Sequence, residues 1–124
     1  MENTLLRQRR LSALLGFVAV LLGALGAHGP LHEALLESGR LGSWETAQRY
    51  HLAHAVLLWL LASLPGTGLL PWRLIFSGLL AFSGSIYLLC LRPELRWLGP
   101  VTPLGGLLLM LGWLALAVGR RPRA

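Results

Sequence analysis

Four runs of apolar residues, 18 to 21 long and separated by glycine- and proline-containing breaks, constrain this chain more than any other feature. They cover about 11–28, 44–64, 74–91 and 101–119. A helix needs about 20 apolar residues to cross about 30 Å of hydrocarbon at about 1.5 Å per residue. Each run approaches that length, and the second has a polar start, WETAQRYHLAH. Charged residues make up only 13% of the 124-residue chain, too few to coat a small soluble protein, so lipid is the natural solvent. The expected fold is all-α: one integral membrane domain over 1–124, a four-helix bundle.

The breaks have local causes. Gly29-Pro30 ends the first helix, since proline lacks the amide hydrogen that a continuing helix would use. Pro30 can also open a short helix, PLHEALLES, with Leu31, Leu35 and Leu36 toward one face, lying along the membrane surface in the first outer loop. Ser43 is placed to cap the second helix. Pro65-Gly66-Thr67-Gly68 and Pro71 form the middle turn, and Arg92-Pro93 and Gly99-Pro100 bracket the last one. Trp72 and Trp97 fall at run edges, where indoles favour the headgroup layer. The first run resembles a signal peptide, but it is longer than a usual apolar signal core and reads as a retained helix.

All eleven basic residues are arginine and all five acidic residues are glutamate. The arginines flank the apolar runs and do not cluster into a nucleic-acid face. Arg7, Arg9, Arg10, Arg73, Arg120, Arg121 and Arg123 lie on the side of the two tails and the middle turn; Arg40, Arg49, Arg92 and Arg96 lie in or beside the other two loops. Seven against four predicts a multi-pass protein of the cytoplasmic membrane with both termini in the cytoplasm. The lone Cys90 allows no intrachain disulfide and reads as a small apolar filler.

Small residues recur at intervals that bring helix backbones together in lipid. Ala19, Gly23 and Ala27 form one stripe, Ser77, Ala81 and Ser85 a second, and Gly105, Gly112 and Gly119 a third. They are the expected packing positions.

The ordered motifs GALGAHG at 23–29, WETAQRYHLAH at 44–54, FSGSIY at 82–87, TPLGG at 102–106 and Gly112-Trp113 resemble the family catalogued as domain of unknown function 423, which includes bacterial YgdD-like and eukaryotic transmembrane protein 256-like proteins. The resemblance covers nearly the whole chain. It implies four helices and a membrane location and supplies no activity. It also implies that His28 and His54, rather than His51, fall on family positions.

The polar residues inside the runs are the candidate site. Counting up from Pro65 puts His54 at about 16 Å and His51 at about 21 Å; counting up from Arg73 puts Ser83 at about 15 Å and Tyr87 at about 21 Å. A polar cluster of His54, Ser83, Tyr87, Tyr50 and His28 is therefore expected between antiparallel helices. His54 should point inward, neutral, hydrogen-bonded to Ser83 or Tyr87. His51, His54 and His28 are weak metal-ligand candidates: His51 and His54 could share a face, but no aspartate or clustered cysteine completes a ligand set. No cofactor is predicted. FSGSIY is not the G-x-S-x-G nucleophile elbow, so there is little ground for an enzyme. Three readings stay open: a structural or accessory subunit beside other membrane subunits or itself, a small channel or carrier for a proton, ion or small solute, and a metal- or cofactor-binding membrane protein.

Overall fold

The computed structural model describes residues 2–119, and they fold as helices joined by short turns. The helices are α1 (Glu2–Ala27), α2 (Gly29–Glu37), α3 (Leu41–Ser63), α4 (Leu70–Leu91) and α5 (Val101–Val118), with a 3₁₀ turn at Arg96–Leu98 before α5. Arg120, Arg121 and Arg123, part of the arginine count behind the expected orientation, lie outside the described residues.

The four long helices pack in sequence order: α1 on α3, α3 on α4, and α4 on α5. One core, at the end of the bundle holding the α3–α4 turn, gathers Leu58, Leu61, Trp72, Ile75, Leu79 and Leu109. The other, beneath α2, gathers Leu35, Trp44, Ala47, Tyr87 and Cys90. Many other large apolar side chains face outward, Phe17, Val56, Leu104 and Leu114 among them. That is the arrangement of a helical membrane bundle, whose outer surface meets hydrocarbon rather than water. α1, α4 and the segment Arg96–Val118 are long and apolar enough to cross a membrane. α3 is more polar because its first half turns Trp44, Ala47, His51 and His54 inward. It still runs the length of α1, from the Trp44 indole on the Leu22 carbonyl (3.1 Å) to Arg9 on the Ala62 carbonyl (3.2 Å).

Three boundaries differ from the sequence expectation. α1 begins at Glu2 rather than near residue 11, because ENTLLRQRR contains no helix breaker and is rich in good helix formers. The added turns carry Arg9 to the carboxyl end of α3, where a cation meets the exposed carbonyls and the negative end of the helix dipole. α3 begins at Leu41, so Ser43 lies inside it and does not cap it. α4 begins at Leu70, with Pro71 in its first turn, where no amide hydrogen is needed. Trp72 is not a headgroup anchor but 5% exposed, stacked on Phe76 at 4.6 Å and donating its indole hydrogen to Ser12 Oγ (3.1 Å). Trp97 is exposed as expected.

α2 closes the opposite end. Leu35 is buried beneath it, while Leu36 faces outward. Gly39, at φ 73°, ends α2 with paired bonds from Gly39 N to Leu36 O and Arg40 N to Leu35 O. That geometry needs the left-handed conformation glycine adopts without a side-chain clash. His32 Nδ1 lies 2.9 Å from the Gly26 carbonyl and supplies a donor to the end of α1.

The small residues meet their neighbours in a register partly shifted from the expected stripes. Ala19 is buried, and a side chain on Gly23 would run into Gln48. Ala27 is exposed; Gly26 takes its place, directly against the Trp44 ring. On α4, Ser77 is exposed and Gly78 makes the contact instead, while Ala81 lies against Gly105 and Ser85 is buried beside Thr102. On α5, Gly105 abuts the Phe82 backbone and Gly112 abuts Ile75, but Gly119 lies beyond the helix end and is exposed.

Candidate functional site

Polar side chains form two separate groups between the helices. The first runs from α1 through α3 to α4. Gln48 Nε2 donates to the Ala19 carbonyl at 2.7 Å. Tyr87 Oη donates to Gln48 Oε1 at 3.0 Å. His51 Nδ1 lies 2.9 Å from Tyr87 Oη. Trp44 packs edge-on against Tyr87 at 4.7 Å. Each direction is forced by the one before it. A backbone carbonyl only accepts, so the Gln48 amide nitrogen must face Ala19 and its oxygen must face Tyr87. The single tyrosine hydrogen is thereby used, so His51 Nδ1 must carry a hydrogen and donate it.

The second group lies between α3 and α5. His54 Nδ1 is 2.7 Å from the Tyr50 carbonyl one turn back, and Trp113 Nε1 donates to His54 Nε2 at 3.1 Å. Tyr50 stacks on the His54 ring at 5.9 Å and packs at a tilt of 52° against Phe82 at 4.8 Å.

The expected cluster of His54, Ser83, Tyr87, Tyr50 and His28 is therefore divided. Tyr87 pairs with His51, not His54. Ser83 Oγ donates to the Ala47 carbonyl at 2.9 Å, holding α4 against α3. His28 is exposed in the turn before α2 and makes no capping bond. The expectation that His54 meets Ser83 or Tyr87 fails because a three-residue step on a helix is about 300° of rotation, enough to aim His51 at α4 and His54 at α5. For the same reason His51 and His54 do not converge on one ion. Both His54 ring nitrogens already have partners. Among the described residues, no three His, Cys, Asp or Glu side chains gather at metal-binding spacing. Cys90 lies buried with its sulfur 3.8 Å from the Arg40 carbonyl.

Sequence reasoning missed Gln48, Trp44, Trp113 and Ser12. Gln48 was detectable: it is three residues before His51, on the same helix face, inside a segment otherwise fit for a membrane. The two tryptophans read as bulk apolar residues, and nothing in the sequence marks their N–H groups as helix-to-helix donors.

The sequence model for the family described as "Protein of unknown function (DUF423)" matches residues 22–106, the segment carrying both polar groups except Trp113 and the carbonyl of Ala19. The chain belongs to the DUF423 family. Its relatives are named membrane proteins. It is 39% identical to a UPF0382 membrane protein of Schizosaccharomyces pombe, over 86% of this chain and 95% of the relative. It is 40% identical to a UPF0382 membrane protein of Staphylococcus saprophyticus, over 88% of this chain and 92% of the relative. It is 37% identical to the UPF0382 membrane protein YwdK of Bacillus subtilis, over 87% and 90%. No solved structure matches the chain. Membership of DUF423 carries the membrane setting and no activity.

Proposed function

We propose that this DUF423 protein is a structural or accessory subunit of a larger assembly in the cytoplasmic membrane, receiving one transmembrane helix of another chain. The observation that supports this is an apolar groove of about 310 Å³ between α1 and α3, lined by Ser12, Ala13, Gly16, Ala55, Val56 and Trp59. Helices associate in lipid by close packing of backbones, which small residues permit. Gly23 and Gly26 on the same helix press against α3, whereas a side chain on Gly16 would meet nothing within 4 Å. Ala13 and Gly16, three apart on one face, are thus the packing positions of α1 that this chain leaves uncovered. The interior polar groups favour the same reading over a conducting path: Gln48, Tyr87, Ser83, His54 and Trp113 are all engaged in hydrogen bonds between or along the helices.

The test is affinity purification from native membranes in mild detergent. The wild-type protein should bring down one discrete membrane protein, and Gly16→Leu should release it without lowering the thermal stability of the purified chain. Recovery of the wild-type chain alone, or undiminished recovery of the partner with Gly16→Leu, contradicts the proposal. A second copy of this chain in the groove would show as a homodimer by native mass and would replace the proposed partner.

A further inference from the structure

A groove of about 270 Å³ opens on the apolar surface between α3 and α5, and four aromatic rings line it: Tyr50, His54, Phe82 and Trp113. Gly106 and Met110 of α5 add to its walls. The Tyr50 ring lies parallel to the His54 ring within 3°, and Trp113 stands edge-on to His54 at 76°. Exposed Arg49 precedes Tyr50 in α3, so the Tyr50 end of the groove lies just below the headgroup layer. From Gly106 to Trp113 the groove follows α5 for about 10 Å into hydrocarbon. Its hydrogen-bonding capacity is simple. Trp113 donates its N–H to His54 Nε2, so His54 Nδ1 carries the ring hydrogen and donates it to the Tyr50 carbonyl. The indole N–H and both His54 nitrogens are thereby used. Tyr50 is 43% exposed, and its hydroxyl has no hydrogen-bond partner among the described residues. The groove thus has aromatic walls, one accessible side-chain donor and no free ring nitrogen to accept.

We propose that this groove binds the ring of a lipid-soluble quinone, with a quinone carbonyl accepting the Tyr50 hydroxyl hydrogen. A quinone has carbonyl acceptors and no donor, the complement of what the lining side chains present. Its ring is electron-poor, and the faces of tyrosine and tryptophan rings are negative, so contact with them favours a quinone over an ordinary benzene ring. Size agrees: a cavity of about 150 Å³ holds one benzene ring, which leaves room here for ring substituents. A lipid acyl chain also fits the groove but leaves the Tyr50 hydroxyl unpaired in hydrocarbon, where such a group costs free energy. A quinol or a sterol brings a hydroxyl hydrogen for which no lining nitrogen is free. The site shares no lining residue with the Gly16 groove and does not depend on any partner subunit.

The test uses the full chain in detergent with ¹⁵N-labelled tryptophan, titrated with tetramethyl-1,4-benzoquinone or with tetramethylbenzene, which has a ring of similar size and no carbonyl. The Trp113 indole resonance, identified by its loss in Trp113→Phe, should move saturably with the quinone. The resonance of Trp44, buried on the Leu22 carbonyl, should stay in place. The quinone should bind about tenfold more tightly than tetramethylbenzene. Tyr50→Phe keeps the ring and deletes the donor; it should weaken the quinone about fivefold and leave tetramethylbenzene unchanged. Gly106→Leu should abolish binding by filling the groove; a Cβ there stands 3.5 Å from the Phe82 ring, an ordinary contact, so this variant keeps the fold. Equal affinity for the two compounds, quinone binding unchanged in Tyr50→Phe or Gly106→Leu, or Trp44 and Trp113 resonances that move together without saturation would each overturn the proposal.

Discussion

Adding one methyl group at Gly78 probes a close backbone-to-backbone approach between α4 and α5. A Cβ on Gly78 would stand 2.8 Å from the Leu109 nitrogen, 2.9 Å from the Gly105 oxygen and 2.9 Å from Leu108 Cβ. Two of those three atoms are backbone and cannot swing aside, so α5 must retreat by about 0.6 Å to restore ordinary contact at 3.4 Å. A gap of about 0.5–1 Å forfeits a quarter to a half of each contact's attraction, and a helix face making on the order of 40 contacts at about 0.15 kcal/mol each loses about 2 kcal/mol. That agrees with the cost of about 1–3 kcal/mol for overpacking a well-filled core. Gly16→Ala is the matched control: it makes the same chemical change on another helix, but a Cβ there meets nothing within 4 Å. Any gain in helix propensity, up to about 1 kcal/mol, is common to both variants and cancels in the comparison. Thermal unfolding in detergent, followed by tryptophan fluorescence, should place Gly78→Ala about 2 kcal/mol below Gly16→Ala. Equal stability of the two variants would refute the packing of α4 on α5 through Gly78 and Gly105.

Five further outcomes follow. Tyr87→Phe removes the link between Gln48 and His51, stranding an acceptor and a donor, and should cost about 2–4 kcal/mol in the same unfolding measurement. Trp113→Phe loses one bond, from a half-exposed indole to His54, and should cost less, about 1 kcal/mol. His51→Ala should destabilise more than His54→Ala, because His51 ties α3 to the buried Tyr87 of α4 whereas the partner of His54 on another helix is the half-exposed Trp113; this is the reverse of the order implied by the depth count. Reporter fusions at residues 38 and 94 should read as external and one at residue 68 as internal, and intact-mass spectrometry should find residues 1–26 retained; a reversed reporter pattern or loss of that segment would contradict the arginine argument or the retained first helix.

The helices were legible because hydrophobic length and the Gly-Pro breaks act locally. What sequence spacing resolved less well was rotation about each helix axis. Two four-residue steps turn about 80° past two full turns, while a seven-residue step falls short of two turns by only about 20°. Ala27 is thus carried away from the face of Ala19, and Gly26 stays on it; Ser77 leaves the face of Ser85, and Gly78 stays. Depth fared better. His51 and Tyr87 both come out at about 21 Å above the inner end, and they are the pair that bonds. His54 was favoured over His51 on depth as well as on the family positions, but Ser83, its match in depth, bonds the Ala47 carbonyl instead, and its partner, Trp113, lies on a helix the counting did not include. The Gln48 link could not be ranked from sequence because its value depends on the Ala19 carbonyl, which is ordinary helix backbone in every other respect.

The most direct test of the subunit proposal is photo-crosslinking in living cells from a benzophenone side chain placed at one of two outward positions. Val56, 63% exposed, borders the Gly16 groove, and Leu104, 60% exposed, lies on α5 away from it. A single discrete protein adduct from position 56 and none from position 104 is the predicted result. Adducts to lipid alone at both positions, or the same protein adducts from both, would contradict a partner helix in the groove.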